Sequence, residues 1–390
     1  MSIRSIRKNI SRNLVNFSGW RTERKIVVIE SDDWGSIRMP SFETYQNLLR
    51  QGIRVDKCPY NRNDSLASED DLSALFDVLS RFNDKNGNHP VITANTVVAN
   101  PDFEKIRQSN YMDYHYEPFT ETLKKIPVCY NALELWKQGM DYNIFHPQFH
   151  GREHVNILLW MKLLQSNTKI FRIAFDYGLW GLGKEIVDTG KINIQSAYDT
   201  LIKEDILFQK DILKEGLILF EQVFGFKSKS FIANNYIWDD KLNKTLSEGG
   251  VSILQGMKYQ ISPIYRNKSR RLIKHKTGEF NTLNQVYLVR NCHFEPSVFP
   301  ETDSVISCMN DINNAFIWHK PAIISSHRLN FIGSIIESNR TRNLKFLDQL
   351  LQKIIIKWPN VEFKTSVELG NLIESQRLKN LLKSEIFNSV

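Results

Sequence analysis

Three of the nine histidines in this 390-residue chain stand four residues apart, in His146-Pro-Gln-Phe-His150-Gly-Arg-Glu-His154. Two imidazoles at i and i+4 share one face of a helical turn, a spacing that chelates zinc. The pairs His146/His150 and His150/His154 both satisfy it. A hydrogen-bonded histidine cluster without metal is the plainer alternative, but three such residues beside an expected strand end favour the ion. Glu153 invites an HExxH reading, yet no histidine directly precedes it, so that register fails.

Two other places carry groups able to do chemistry. Asp32-Asp33 follows the apolar run Lys25–Glu30. Neighbouring side chains on an extended segment point opposite ways, which would give one carboxylate to a cation and the other to the water it polarises. A surface turn or helix cap is the other common use of aspartate. His327 follows Ser325-Ser326 at the end of a second apolar run. An imidazole titrates near neutrality, which makes His327 a candidate general acid. One aspartate with two histidines leaves a fourth position open for water, as a catalytic metal requires.

These groups need a scaffold that brings distant segments together. Short runs rich in Val, Ile and Phe read as strands: Lys25–Glu30, Val91–Val98, Tyr142–Phe145, Phe171–Phe175, Ser230–Ala233, Val251–Leu254, Gln285–Arg290, Ala322–Ser325 and Val361–Lys364. Between them, Asp70–Phe82, Val155–Leu164, Ile206–Phe224 and Arg342–Ile356 repeat apolar residues at helical steps. A further helix is expected to begin near Arg152, after Gly151 has supplied an unusual backbone angle. Strands alternating with helices imply parallel pairing, and this number in one chain suits an α/β barrel. Reactive groups in such folds collect at the C-terminal ends of strands. The expected organisation is a basic N-terminal segment over 1–20, a catalytic barrel over 21–375 and a tail over 376–390. Insertions are expected at about 103–140 and 177–205.

Composition narrows the setting. With 42% hydrophobic and 24% charged residues, the chain has the make-up of a globular protein. A net charge of +8 suits an anionic partner such as an acidic glycan, a nucleotide-linked sugar or a membrane surface, or simply a solvated basic face. Lys and Arg are scattered and no nucleic-acid motif occurs, so nucleic acid is not an expected partner. Four cysteines without CxxC spacing read as free thiols in a reducing compartment. The absence of an apolar leader or a long apolar run makes a cytoplasmic location the expectation. Ile3, Ile6, Ile10 and Leu14 would share one face of a basic helix, fit for weak contact with a membrane surface or for packing on the domain. Gly178 to Lys184 matches half of a phosphate-binding loop, but Glu185 stands where a hydroxyl should meet magnesium.

At these residues the chain resembles the polysaccharide deacetylase family, within the superfamily of glycoside hydrolase/deacetylase barrels, as a divergent branch. That family has a distorted (β/α) barrel of about seven strands. Its strand-T-F-D-D-G motif is matched by Val28-Ile-Glu-Ser-Asp32-Asp33-Trp34-Gly35, with Trp34 intervening before the glycine. The match implies Asp32 as general base and Asp33 as metal ligand. The H-x-x-x-H motif is matched by His150 to His154, implying two further ligands and, by ligand type, zinc. The segment from Gly225-Phe226 to Tyr236 looks like the third motif without its arginine; Arg38, Arg152 and Arg328 are the candidates to supply that charge. The last motif places His327 as general acid. No counterpart of the fourth, aspartate/tryptophan motif is evident. The resemblance spans roughly residues 25 to 370 and implies a metal-dependent hydrolase that removes N-acetyl or O-acetyl groups from a saccharide or a nucleotide- or lipid-linked sugar. Trp34, Tyr236 and Trp238 are candidates to stack on a sugar ring, Arg38 and Arg328 to hold an acidic group, and a backbone N–H of Asn235 or Tyr236 to meet an oxyanion. The alternatives are a non-sugar amide as substrate, or a barrel that binds glycans without turning them over.

Overall fold

The computed structural model describes residues 12–266 and 270–388. Its first strand, β1 (Lys25–Trp34), is buried along nearly its whole length, as expected of a strand covered on both faces. Alternate residues part company. Val27 and Ile29 join the core under the surrounding helices. Ile26 and Val28 instead meet Ile253, Val286, Leu288 and Ile323, contributed by three other strands. Only an inward curl of the sheet brings those side chains together.

Along the chain the strands are β2 (Ile92–Val97), β3 (Ala99–Pro101), β4 (Tyr116–Pro118), β5 (Phe145–Gly151), β6 (Ser230–Ile232), β7 (Ile253–Gly256), β8 (Tyr259–Ile261), β9 (Leu272–Lys274), β10 (Val286–Val289), β11 (Cys292–His293), β12 (Ala322–His327) and β13 (Val361–Phe363). The main sheet runs β10-β7-β6-β5-β2-β1-β12-β11, with β13 on the first residues of β1. All its pairings are parallel. The two end strands, β10 and β11, are consecutive stretches of one run, 286–293. At the changeover the Arg290 N–H donates to Gly256 on one side and the Asn291 N–H to Ile323 on the other. The sheet thus curls into an α/β barrel, with β3–β4 and β8–β9 as antiparallel hairpins outside it. Leu369 and Ile373 of the helix Ser366–Asn388 pack into the inner cluster.

Three expectations give way to packing. Phe171–Phe175 is not a strand but part of the helix Lys169–Asp176, which buries Phe171, Ala174 and Phe175 on one face; a short apolar run carries too few residues to separate the two periods. Tyr142 and Asn143 finish the preceding helix, Ala132–Asp141, and Asn143 takes a left-handed conformation. The strand expected at Tyr142–Phe145 therefore begins only at Phe145 and carries His146 and His150 within it. The helix expected near Arg152 starts at Ile157, where the Asn156 side chain accepts from Leu159 N.

The four cysteines are free and buried. Ile3, Ile6 and Ile10 of the expected amphipathic segment lie outside the described residues. No helix among the described residues is long and apolar enough to cross a membrane.

Candidate metal centre

The residues that matter stand at the upper ends of β1, β5 and β12. Between Ser31 and Trp34, β1 holds one more residue than the β2 stretch it faces. Such a bulge bends the strand and re-aims its side chains. Asp33 sits there with φ 73°. Both Asp32 and Asp33 therefore line one pocket, against the opposite-facing carboxylates expected from a regular strand. A second bulge follows on β5, where Phe149 and Gly151, but not His150, pair with Thr96 and Val97 of β2. Gly151, at φ 128°, turns the chain out of the strand; its missing side chain also admits the Tyr198 hydroxyl, 2.7 Å from where a Cβ would stand.

Asp33, His150 and His154 converge: each offers an atom within 4.8 Å of the others, and all three are buried. Asp33 Oδ1 lies 3.0 Å from His154 Nε2 and 3.5 Å from His150 Nε2. Two ligands each about 2.1 Å from one tetrahedral ion stand roughly 3.4 Å apart, so the observed spacings straddle that geometry. His150 Nδ1 is 2.8 Å from the Ile232 carbonyl. Donation there leaves Nε2 without a proton, an acceptor that the Asn234 amide meets at 3.1 Å and that a cation could take in its place, the usual support for a ligating imidazole. Burial and the neighbouring Arg38 push the His154 pKa down to about 4, so its ring is neutral at neutral pH, the form that ligates. Burial alone would raise the Asp33 carboxyl, but Arg38, His154 and the imidazole hydrogen bonds hold it well below the usual range. The donor set fits a divalent ion. His146 is not part of it: its ring stacks on Phe226 and its Nε2 meets the Gln148 amide. The converging pair is His150 with His154, reached across a strand end and a loop rather than along a helical turn.

Asp32 has different company. Arg290 grips both its oxygens, at 2.6 and 2.7 Å, and donates a third bond to Glu30 at 2.6 Å. The Asn95 amide adds a bond of 2.7 Å to Oδ1. Burial would raise the carboxyl, yet Arg290 brings it down to about 2. Across the pocket, His327 Nε2 stands 3.8 Å from Asp32 Oδ2, just beyond direct hydrogen-bonding reach. The other nitrogen of His327 meets Glu295 at 2.6 Å. Burial lowers this imidazole, but Glu295, through charge and hydrogen bond, and Asp32 more than reverse it, to about 9.

The pocket, of about 140 Å³, is lined by both aspartates, the two converging histidines, His327, Arg38 and Tyr236 among others. Tyr236 directs its hydroxyl toward Arg290, 3.3 Å away, while its backbone N–H is taken by Ala233, which removes it from the oxyanion role. Trp34 is not in the pocket. It is 1% exposed and packs edge-on against Trp136 and Phe145. Trp238 is likewise core, with its indole N–H on Asn243. Arg328 does not face the pocket either, being locked fork-to-fork on Asp64 at 2.9 and 3.0 Å with both side chains fully buried. Arg152 is engaged by Glu153 and Glu215. The charge on Asp32 therefore comes from Arg290, which none of the candidates Arg38, Arg152 and Arg328 anticipated. The readable signal was its place at the end of the Gln285–Arg290 strand. Glu295, just past β11, carried no signal of its own.

No family model matches this chain, and no curated protein does. Solved structures resemble it in fold. A Mycobacterium smegmatis protein assigned as a polysaccharide deacetylase shares 10% identity at a TM-score of 0.44, covering 92% of this chain and 94% of its own. The 4-alpha-glucanotransferase of Thermococcus litoralis shares 9% at 0.43, over 89% and 40%. An allantoinase shares 8% at 0.44, over 90% and 91%. At such identities the reading of function rests on the side chains themselves.

Proposed function

We propose that this chain is a metal-dependent hydrolase that removes acetyl groups, N-linked before O-linked, from a saccharide or a sugar precursor of surface polysaccharide. One observation carries the reading. A three-ligand cluster, an ionised carboxylate and a protonated imidazole meet in one small pocket, from segments as far apart as β1 and β12. A divalent ion, zinc by ligand type, held by Asp33, His150 and His154 would polarise the acyl carbonyl and acidify a water.

The chain's own groups then divide the proton work. Asp32, kept ionised and aligned by Arg290 and Asn95, accepts the proton of the attacking water. His327 returns a proton to the leaving nitrogen. Because Glu295 occupies its Nδ1, Nε2 is the donating atom, and it is the one that faces Asp32. The acid and base are thus in their working protonation states together, the arrangement expected of paired groups whose surroundings push them apart. The saccharide as substrate is supported by the motif resemblance of Asp32-Asp33, His150/His154 and His327.

The test is acetate release from N-acetylated sugars by zinc-loaded protein, with metal content measured alongside. Release should vanish on chelation, return with zinc, and fall by about 10²–10⁴-fold in Asp32→Asn while zinc stays bound. A purified protein that retains no divalent metal, or that releases acetate equally well as Asp32→Asn, overturns the proposal.

A further inference from the structure

Arg38 is 1% exposed and only half used. Its Nη2 bonds Asp33 at 3.0 Å, and its Nε stands 3.8 Å from Asp64. Its Nη1 has no hydrogen-bond partner among the described residues. Trp180 holds the guanidinium in place, with its ring 4.9 Å away. A second donor shares this wall. Gln195, 8% exposed, arrives from the irregular stretch between the helices Lys169–Asp176 and Asp205–Phe224. Its Nε2 also lacks a partner among the described residues. Both side chains line the pocket.

Gly181 marks the space between them. A Cβ there would lie 3.3 Å from Arg38 Nη1 and 3.9 Å from Gln195 Nε2. The glycine's carbonyl is pinned by Asn61 Nδ2 at 2.7 Å, so the gap is fixed by the fold. Two buried donors left bare cost stability unless a ligand completes them. Both lack an acceptor and one carries a full charge, which selects an anionic acceptor over a neutral one. A guanidinium edge is matched in plane by a carboxylate.

We propose that Arg38 Nη1 and Gln195 Nε2 form a recognition corner for a carboxylate on the substrate, so that the hydrolase prefers an acidic sugar. The inference rests on the hydrolase reading for the meaning of the pocket and adds the class of saccharide. Gln195 is the specificity-determining residue, because Arg38 is already committed to Asp33 through its other nitrogen. An excess of positive charge on the whole chain, +8, would draw the same class of ligand toward it.

The test is calorimetric titration of the zinc-loaded protein with glucuronate, glucose and glucose 6-phosphate, repeated on Gln195→Leu and Gly181→Ala with zinc content measured for each. Glucuronate should bind more tightly than either other sugar. Each variant should lose about tenfold of that affinity, the worth of one hydrogen bond to an ion, with zinc content unchanged. Equal binding of glucuronate and glucose overturns the corner, as does a preference for the phosphate or undiminished glucuronate binding by Gln195→Leu. Zinc retained without carboxylate preference removes this inference and leaves the hydrolase standing. Carboxylate preference in a protein that holds no zinc does the reverse.

Discussion

Two buried polar regions lie close together at the upper end of this barrel, and they treat their hydrogen bonds differently. Behind β12, Ser297, Asn330, Asn339 and Asn343 bond one another and the backbone. Ser297 receives Asn343 and donates to Asn339 at 2.8 and 2.7 Å, and Asn339 donates to the Leu329 and Ile332 carbonyls. Of the side chains lining the pocket, Arg38, His154 and Gln195 have atoms without partners among the described residues. A network that closes on itself fixes a loop; one with bare atoms is waiting for something to complete it. The first region uses its polar atoms on itself, and the second leaves some of its own unspent.

Substitutions divide along the same line. The largest effect belongs to His150→Ala combined with His154→Ala: metal analysis should show no retained zinc, and acetate release should fall by at least about 10⁴-fold. Asp32→Asn should cut turnover by about 10²–10⁴ with zinc still bound, read by kinetics and metal content together. Glu295→Gln sits where the two regions touch, since Asn330 also bonds its carboxylate. Burial depresses the His327 pKa and Glu295 raises it. The acid form therefore persists up to about pH 9, and activity falls as pH rises through that value. Glu295→Gln should slow turnover about 10- to 100-fold and move that fall toward lower pH; an unmoved limb would remove His327 as the acid. Trp34→Ala should unfold more readily by about 3–5 kcal/mol in denaturant, since the side chain is core rather than sugar platform. Asn339→Leu, which leaves the Ile332 carbonyl unpaired and the Leu329 carbonyl with only the 3.4 Å bond from Ser297, should cost about 1–3 kcal/mol with turnover unchanged. If Asn339→Leu slows turnover while Asp32→Asn only loosens the fold, the contrast between the regions fails.

Much of the architecture was legible. The apolar runs at 25–30, 91–98 and 322–325 name three neighbouring strands, because a buried parallel strand has few other ways to be written. The convergence of the candidate site was legible where reactive groups are concentrated in short stretches: Asp32-Asp33, His150 with His154, and His327. It was illegible where partners come singly from far away. The place of Arg290 at an expected strand end says nothing of its partner, and its task is set by standing opposite Asp32 from 258 positions along the chain. Trp34 misled because a tryptophan beside two acids looks available to a sugar, while the fold spends it on Trp136 and Phe145. The helical reading of His150 and His154 failed for a related reason. Four-residue spacing fits a helix face, but a bulged strand end followed by a loop can place two rings together equally well.

The extra residue in each of β1 and β5 sets function against regularity. Deleting one position between Ser31 and Trp34 would restore even pairing with β2 and a smoother wall. Only Asp32 and Asp33 stand between those two residues, so the same shortening would remove one of the two carboxylates from the pocket. A sequence optimised for ladder perfection alone would drift toward a tidier vessel with nothing at its mouth. The interrupted register is thus a signature to look for in other barrels, where a mismatch in pairing count points to the side chains that matter before any of them is tested.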